Sequence, residues 1–257
     1  MGYNMATLEE RERELEEHLR KEHRQSPLSS YLREIVYGGV DGIITTFAVV
    51  AGFSGASLAR DTALQLSSMV VLLFGLANLF ADGVSMGLGS FLSIRSDQSL
   101  YKSIRRKEEH ESLTNGEIEA EETVTILMTK GFSETDARTL THIYRTNQDY
   151  WVDFMMNHEL KIADPHGDNP LYSGIATFLA FVTFGSIPLL PFMLFENVEQ
   201  GSLFIISSVS TLVALILLGI FKAKVIGSRI LRSVVEVVVV GTAASSVAYF
   251  VGSVFAF

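Results

Sequence analysis

Apolar and polar positions in this chain fall in blocks. Five long apolar runs, near residues 35–53, 66–94, 171–195, 203–221 and 234–257, are separated by stretches rich in charge. Each run is close to the roughly 20 residues that a helix needs to cross the hydrocarbon core of a bilayer. The block pattern predicts an all-α membrane protein with five transmembrane helices and a small three-helix domain inserted between helices 2 and 3. The expected division is a charged N-terminal helix in 1–34, helices 1 and 2 in 35–94, the inserted domain in 95–169 and helices 3 to 5 in 170–257.

Inside the polar stretches the spacing predicts further helices. The leader, 8–24, is dense in Glu, Arg and Lys and includes Glu14, Glu17, His18, Glu22 and His23. Ion pairs at i,i+4 on a solvated helix explain that composition without a metal site. A leader this long and charged also marks the first apolar run as a retained span rather than a cleaved signal. In the insert, the second span is expected to continue through Tyr101 and Arg106 to Glu111. A helix from near Glu117 to Lys130 should stop at Gly131, Ser133 should cap a helix over 133–144, and 149–160 should form the last. Trp151, Phe154 and Leu160 give that last helix an apolar seam, and Pro165 and Pro170 close the insert.

Composition then narrows the class. Of 257 residues 48% are hydrophobic, yet 19% are charged and the mean hydropathy is +0.30, which only segregation into membrane and water-facing parts reconciles. Cysteine is absent, which removes disulfides, zinc ribbons and thiol chemistry. A formal net charge of -9 argues against nucleic acid, whose phosphates need a basic face, and favours cations. Basic residues concentrate in the leader, in the insert and at Lys222, Lys224, Arg229 and Arg232. The 55–63 connection has only Arg60 and 196–202 has none. The positive-inside rule therefore places the N-terminus and the insert in the cytosol and the C-terminus on the far side of a multi-pass membrane protein. A vacuolar membrane and a bacterial inner membrane satisfy that rule equally.

The insert's carboxylates are patterned. Glu108 and Glu111, and again Glu119 and Glu122, stand three residues apart, which puts each pair on one helix face about a turn apart. Neighbouring carboxylates repel unless a cation neutralises them. Met155, Met156 and Glu159 add soft thioethers and another carboxylate. Calcium and magnesium avoid thioethers, whereas iron(II) and copper(I) tolerate them. The pattern predicts a metal collector.

Polar residues within the runs point the same way. Asp41, in Gly38-Gly39-Val40-Asp41-Gly42, lies about two turns into the first run, where an ionised carboxylate is costly unless it faces a cavity or a partner. Asp82, with Asn78 a turn before it and Met86 a turn after it, makes a stripe of potential ligands on span two. Glycines at 38, 39, 42, 83, 87 and 89 permit close backbone approach, predicting that spans one and two pack on each other or across a dimer. Glu236, a turn from Arg232, is expected to form a structural ion pair.

Three segments carry a resemblance. Gly39-Val40-Asp41-Gly42 with Thr46-Phe47-Ala48 and Ala51-Gly52, the run from Ala81-Asp82-Gly83 to Gly87-Leu88-Gly89, and Trp151-Val152-Asp153-Phe154-Met155-Met156 through Glu159-Leu160 resemble the vacuolar iron transporter family. The likeness extends from about Tyr31 to the end. It implies a five-span homodimer in the lipid bilayer that moves Fe2+, and Mn2+ as well, out of the cytosol by proton antiport. Zn2+ or Co2+ would serve as surrogates, and no organic cofactor takes part. By that likeness Asp41 and Met86 line a translocation path at the dimer interface, and the stripe on span two adds Asp82 and Asn78 to the expected path. Glu108, Glu111, Glu119, Glu122, Met155, Met156 and Glu159 gather metal in the cytoplasmic domain. Where many members of the family have Glu, this chain has Asn78, and Asp82 supplies a nearby carboxylate instead.

Two other readings fare worse. A di-iron carboxylate oxidase needs Glu-x-x-His on facing helices, and Glu108-x-His110 and His158-Glu159 have the wrong spacing. A membrane-anchored metal sensor leaves Asp41 and Asp82 without a purpose.

Overall fold

A computed structural model describes residues 8–22, 30–58, 68–167, 169–195 and 198–254, and all regular structure among them is helical. Arg60, His23 and part of the 196–202 connection lie outside the described residues. The chain divides into two compact units, one built from Met1–Gly87 with Gly174–Phe257 and the other from Leu88–Ser173.

Among the described residues five helical segments are long and apolar enough to cross a membrane. They begin after α1 (Leu8–Glu22), the charged leader helix, which the sequence places at 8–24. Helix α2 (Leu32–Leu58) holds the first apolar run and α3 (Ser68–Thr114) the second. At about 1.5 Å per residue α3 is roughly 70 Å long, more than twice the hydrocarbon thickness. Its apolar part ends at Ile94, and from Arg95 onward charged residues recur along it, so only the first part is a membrane segment. No proline interrupts α3, which is why one helix continues through this change of composition.

The third span departs from expectation. The sequence suggests one continuous run, but α7 (Pro170–Gly185) stops, a 3-10 turn covers Ile187–Leu189, and α8 (Leu190–Leu194) follows. Pro188 and Pro191 cause the break, since each lacks the N–H that the preceding turn would use. Two hydroxyls hold carbonyls in and beside the irregular stretch: Ser186 Oγ donates to Thr183 O at 2.9 Å and Ser207 Oγ to Pro188 O at 2.7 Å. Such bonds are what irregular backbone needs inside a membrane. Helices α9 (Gln200–Ile226) and α10 (Ile230–Val254) complete this unit, joined through Gly227 at φ 74°.

Packing in the first unit corrects the glycine reading. A Cβ on Gly42 would sit 2.4 Å from Phe181 O, one on Gly38 2.7 Å from Thr177 O, and one on Gly87 2.9 Å from Gly174 O. Gly38, Gly42, Gly83 and Gly87 thus serve contact with α7, the third span, while Gly39 faces Leu218 of α9 as well as Phe184, and Gly89 meets nothing within 4 Å. Spans one and two do touch, through the Phe53 and Phe74 rings at 5.6 Å and a shared core containing Val50, Leu79 and Phe181. Glu236 accepts from Arg232 at 3.1 Å, as the spacing predicts. It also accepts from Lys222 at 3.0 Å, which ties α9 to α10.

The second unit contains the charged part of α3 with α4 (Gly116–Thr129), α5 (Glu134–Arg145) and α6 (Gln148–His158). Gly131 takes φ 100° after α4, and the Ser133 hydroxyl accepts from Asp136 N to cap α5, both at the positions the sequence indicates. Ala120, Val124, Leu127, Ala137, Trp151, Phe154 and Met155 form its core. Leu160, expected in the apolar seam, is instead exposed, because α6 ends two residues before it.

Candidate metal centre

The second unit brings three carboxylates together from three places in the chain. Glu108 projects from α3, Glu119 from α4, and Glu159 caps the C-terminus of α6. One oxygen from each lies within 4.8 Å of the others. Glu108 and Glu119 are buried and Glu159 is exposed, so the cluster has an inner floor and an open side.

Packing forces this convergence. One turn after Glu119, Thr123 Oγ1 lies 2.8 Å from Glu119 O and 3.2 Å from Met155 Sδ, and accepts from Trp151 Nε1 at 2.8 Å. That buried relay fastens α6 to α4. On the other side Arg105 of α3 pairs with Asp153 of α6 at 3.2 Å, with Asp149 at 3.6 Å, and with Glu109 on its own helix. Glu159, at the end of α6, is carried to the cluster by both anchors.

The electrostatics are those of crowded acids. Burial, then the charges of Glu119, Glu159 and Glu111, push Glu108 up to about 7. Burial followed by Glu122 and Glu111 raises Glu119, and burial followed by Glu122, Glu119 and Glu111 raises Glu159. Glu108 Oε1 is buried and has no hydrogen-bond partner. An orphaned anionic acceptor among other carboxylates is relieved by a proton or by a divalent cation, and oxygen donors of this kind suit Mn2+, Fe2+ or Mg2+.

The predicted residues do not all occupy equivalent places. The inner member of each Glu pair joins Glu159, while Glu111 and Glu122 act on the cluster through charge, with Glu111 3.5 Å from Lys107. Met155 and Met156 are fully buried, Met155 in the core with Trp151 and Met156 against Tyr101 and Val152. Ligation by Met155 would have to replace its contact with Thr123. Sequence reasoning missed Thr123 and Arg105. The Thr123 signal is its four-residue offset from Glu119, and that of Arg105 is a cation opposite Asp149 and Asp153.

In the first unit, Asn78 Nδ2 donates to Asp82 Oδ2 at 2.8 Å, so these two predicted residues meet along one helix face. Asp41 and Asp82 are both half-buried, and Thr45 Oγ1 donates to Asp41 O at 2.8 Å. Met86 packs against the core that contains Leu79 and Phe181.

Comparison with known proteins completes the picture. The profile of the VIT family matches residues 32–253. The chain is 34% identical over 223 residues to Vacuolar iron transporter 1 of Arabidopsis thaliana, covering 87% of this chain and 85% of that one. It is 34% identical over 240 residues to the Vacuolar iron transporter of Toxoplasma gondii, covering 91% and 77%. Identity to the Vacuolar iron transporter of Plasmodium falciparum is 31% over 230 residues, covering 87% and 81%. With membrane-length helices, a carboxylate cluster and a match from the first span to the last, this chain belongs to the VIT family.

Proposed function

We propose that this protein is a transporter that exports Fe2+, and also Mn2+, from the cytosol in exchange for protons, rather than an enzyme. The observation that carries the reading is the convergence of Glu108, Glu119 and Glu159, one with an unpartnered buried oxygen, in a chain with five membrane-length helices. The names of its relatives supply the cargo. In this reading residues 95–169 are a cytoplasmic collector in which Glu111 and Glu122 strengthen the local field and Met155 and Met156 add soft donors. Asp41, Met86, Asp82 and Asn78 line the path across the membrane of a homodimer. The basic residues of the leader, the insert and the α9–α10 turn put the N-terminus and the collector in the cytosol of a vacuolar or bacterial inner membrane.

Carboxylate chemistry supplies the coupling. A ligating carboxylate must be deprotonated, so metal and proton compete for the same oxygens. On an acidic far side, protonation of Asp41 releases metal, and the neutral acid returns through the low-dielectric interior far more cheaply than the anion. The proton gradient then drives export against the metal gradient.

Proteoliposomes with an iron-sensitive dye inside and an imposed proton gradient test this directly. The parent chain should load Fe2+ in proportion to the gradient, and Asp41→Ala should fall to the background of empty vesicles. An Asp41→Ala protein that transports as fast as the parent removes the central carboxylate from the mechanism.

A further inference from the structure

A second site is built into the first unit, with none of the site residues assigned above among its lining side chains. A cavity of about 400 Å³ lies between α2, α9 and α10, a volume in the range of small-molecule sites. Among the described residues no charged one lines it. Its walls carry hydroxyls: Ser208 and Thr211 from α9, and Thr242, Ser245, Ser246 and Tyr249 from α10. The four on α10 are spaced at i, i+3, i+4 and i+7, so they share one face of a span whose other exposed positions include Val239, Val240, Val247 and Phe250.

The hydrogen-bond directions narrow the occupant. Ser208 Oγ donates to Phe204 O at 2.8 Å, Thr211 Oγ1 to Ser207 O at 2.7 Å and Ser246 Oγ to Thr242 O at 2.8 Å. With their protons committed to their own helices, these oxygens offer the cavity lone pairs. Ser245 Oγ is buried and has no partner in the protein. The Phe204 ring stacks between Phe47 at 6.0 Å and Tyr249 at 5.9 Å, giving the cavity an apolar aromatic wall. Ser245, with no partner, can donate as well as accept, and neutral hydroxyls without a charged neighbour do not neutralise an ionic headgroup or replace the hydration of a divalent cation. They suit an uncharged, mostly apolar molecule with a hydroxyl to donate, arriving from the bilayer.

We infer that the cavity between α2, α9 and α10 binds an uncharged membrane lipid that carries a free hydroxyl, its alcohol donating to the Ser and Thr oxygens and its hydrocarbon lying along the Phe47, Phe204 and Tyr249 rings. The site is independent of the identity of the metal cargo. It depends only on this unit lying in a bilayer.

The test uses the full chain in liposomes with two photoactivatable lipid alcohols, a diacylglycerol and a sterol, and the O-methyl ether of each. Either alcohol should label peptides covering 204–215 or 241–251 several-fold more than its ether, the difference that one or two net hydrogen bonds give. Excess unlabelled alcohol should compete in the unmodified chain, a readout that needs no variant, and which of the two competes identifies the lipid class. Ser245→Val with Ser246→Val should cut labelling several-fold. Equal labelling by alcohol and ether, or labelling confined to other helices, would overturn the proposal. So would efficient disulfide cross-linking of two copies through Ser246→Cys, clean to read in a chain with no native cysteine, since it would make this face a contact between copies.

Discussion

The two acidic regions of this protein treat the same functional group in opposite ways. In the second unit three carboxylates are crowded together, with Glu111 and Glu122 adding charge, and the inner one is held near pKa 7. In the membrane helices Asp41 and Asp82 stand on different helices, and Asp82 is given an amide donor by Asn78. The difference follows the solvent. A cluster open on one side can exchange protons and cations with water, so mutual repulsion becomes stored affinity for a cation. In hydrocarbon the same repulsion would simply protonate the group or unfold the helix.

Removing the crowding should have the largest effect. Glu108→Gln with Glu119→Gln keeps side-chain shape but deletes two anions, and should weaken Mn2+ binding by roughly a hundredfold or more in isothermal titration of the full chain. Unchanged affinity would mean that the cluster is not the collector. Next comes pH. Glu108, with its pKa raised from the ordinary carboxylate range to about 7, is increasingly protonated below that value and must lose its proton to ligate. Metal affinity should therefore fall roughly tenfold per pH unit on the acid side of 7, one proton being displaced per metal ion, and level off above it. The apo protein should show the reverse trend. Its folded state binds a proton that the unfolded chain releases at lower pH, so the contribution of Glu108 to stability falls as pH rises from about 4.5 to 7. A thermal melt in detergent with and without Mn2+ at pH 5.5 and 8 checks both signs.

The stability of the membrane region depends on shape. Gly42→Ala places a methyl 2.4 Å from Phe181 O, a backbone atom that cannot step aside, and should destabilise the protein by up to about 3 kcal/mol as read by its melting temperature. A tolerated substitution would show that α2 and α7 are less tightly apposed than their glycines imply. The smallest effect belongs to the relay behind the carboxylate cluster. Thr123→Val leaves the buried Trp151 Nε1–H without an acceptor and should lower stability by about 1–2 kcal/mol. Because Thr123 also touches Glu119 O and Met155 Sδ, metal affinity should shift with it. An affinity that stays fixed separates the scaffold from the site.

Much of this was legible beforehand because it depends on local rules. Over their described residues four of the five apolar runs each reappear within one helix, the continuation of span two past Ile94 is one helix, Ser133 caps where its spacing says, and Gly131 takes the left-handed conformation that ends a helix. Glu236 meets Arg232 because four residues make one turn. Other features were less legible. Pro188 and Pro191 stood in plain sight within an apolar run, but hydropathy averages over them and reports a continuous span. The glycines announced a close contact without naming the partner, since a small residue is permissive toward whatever backbone approaches it.

Residue types, their periodicity and the separation of charge from apolar surface follow from the chain alone, and they determine five helices of membrane length and an acidic stretch suited to cations. Tertiary structure decided which carboxylates meet. Glu108 and Glu119 turn inward while Glu111 and Glu122 flank them, and Glu159 joins from another helix because Thr123 and Arg105 fix where α6 ends. Helical spacing records neighbours within one turn. Convergence of groups 11 to 51 residues apart is a property of packing, which sets the distances on which charge repulsion, proton affinity and metal binding all depend.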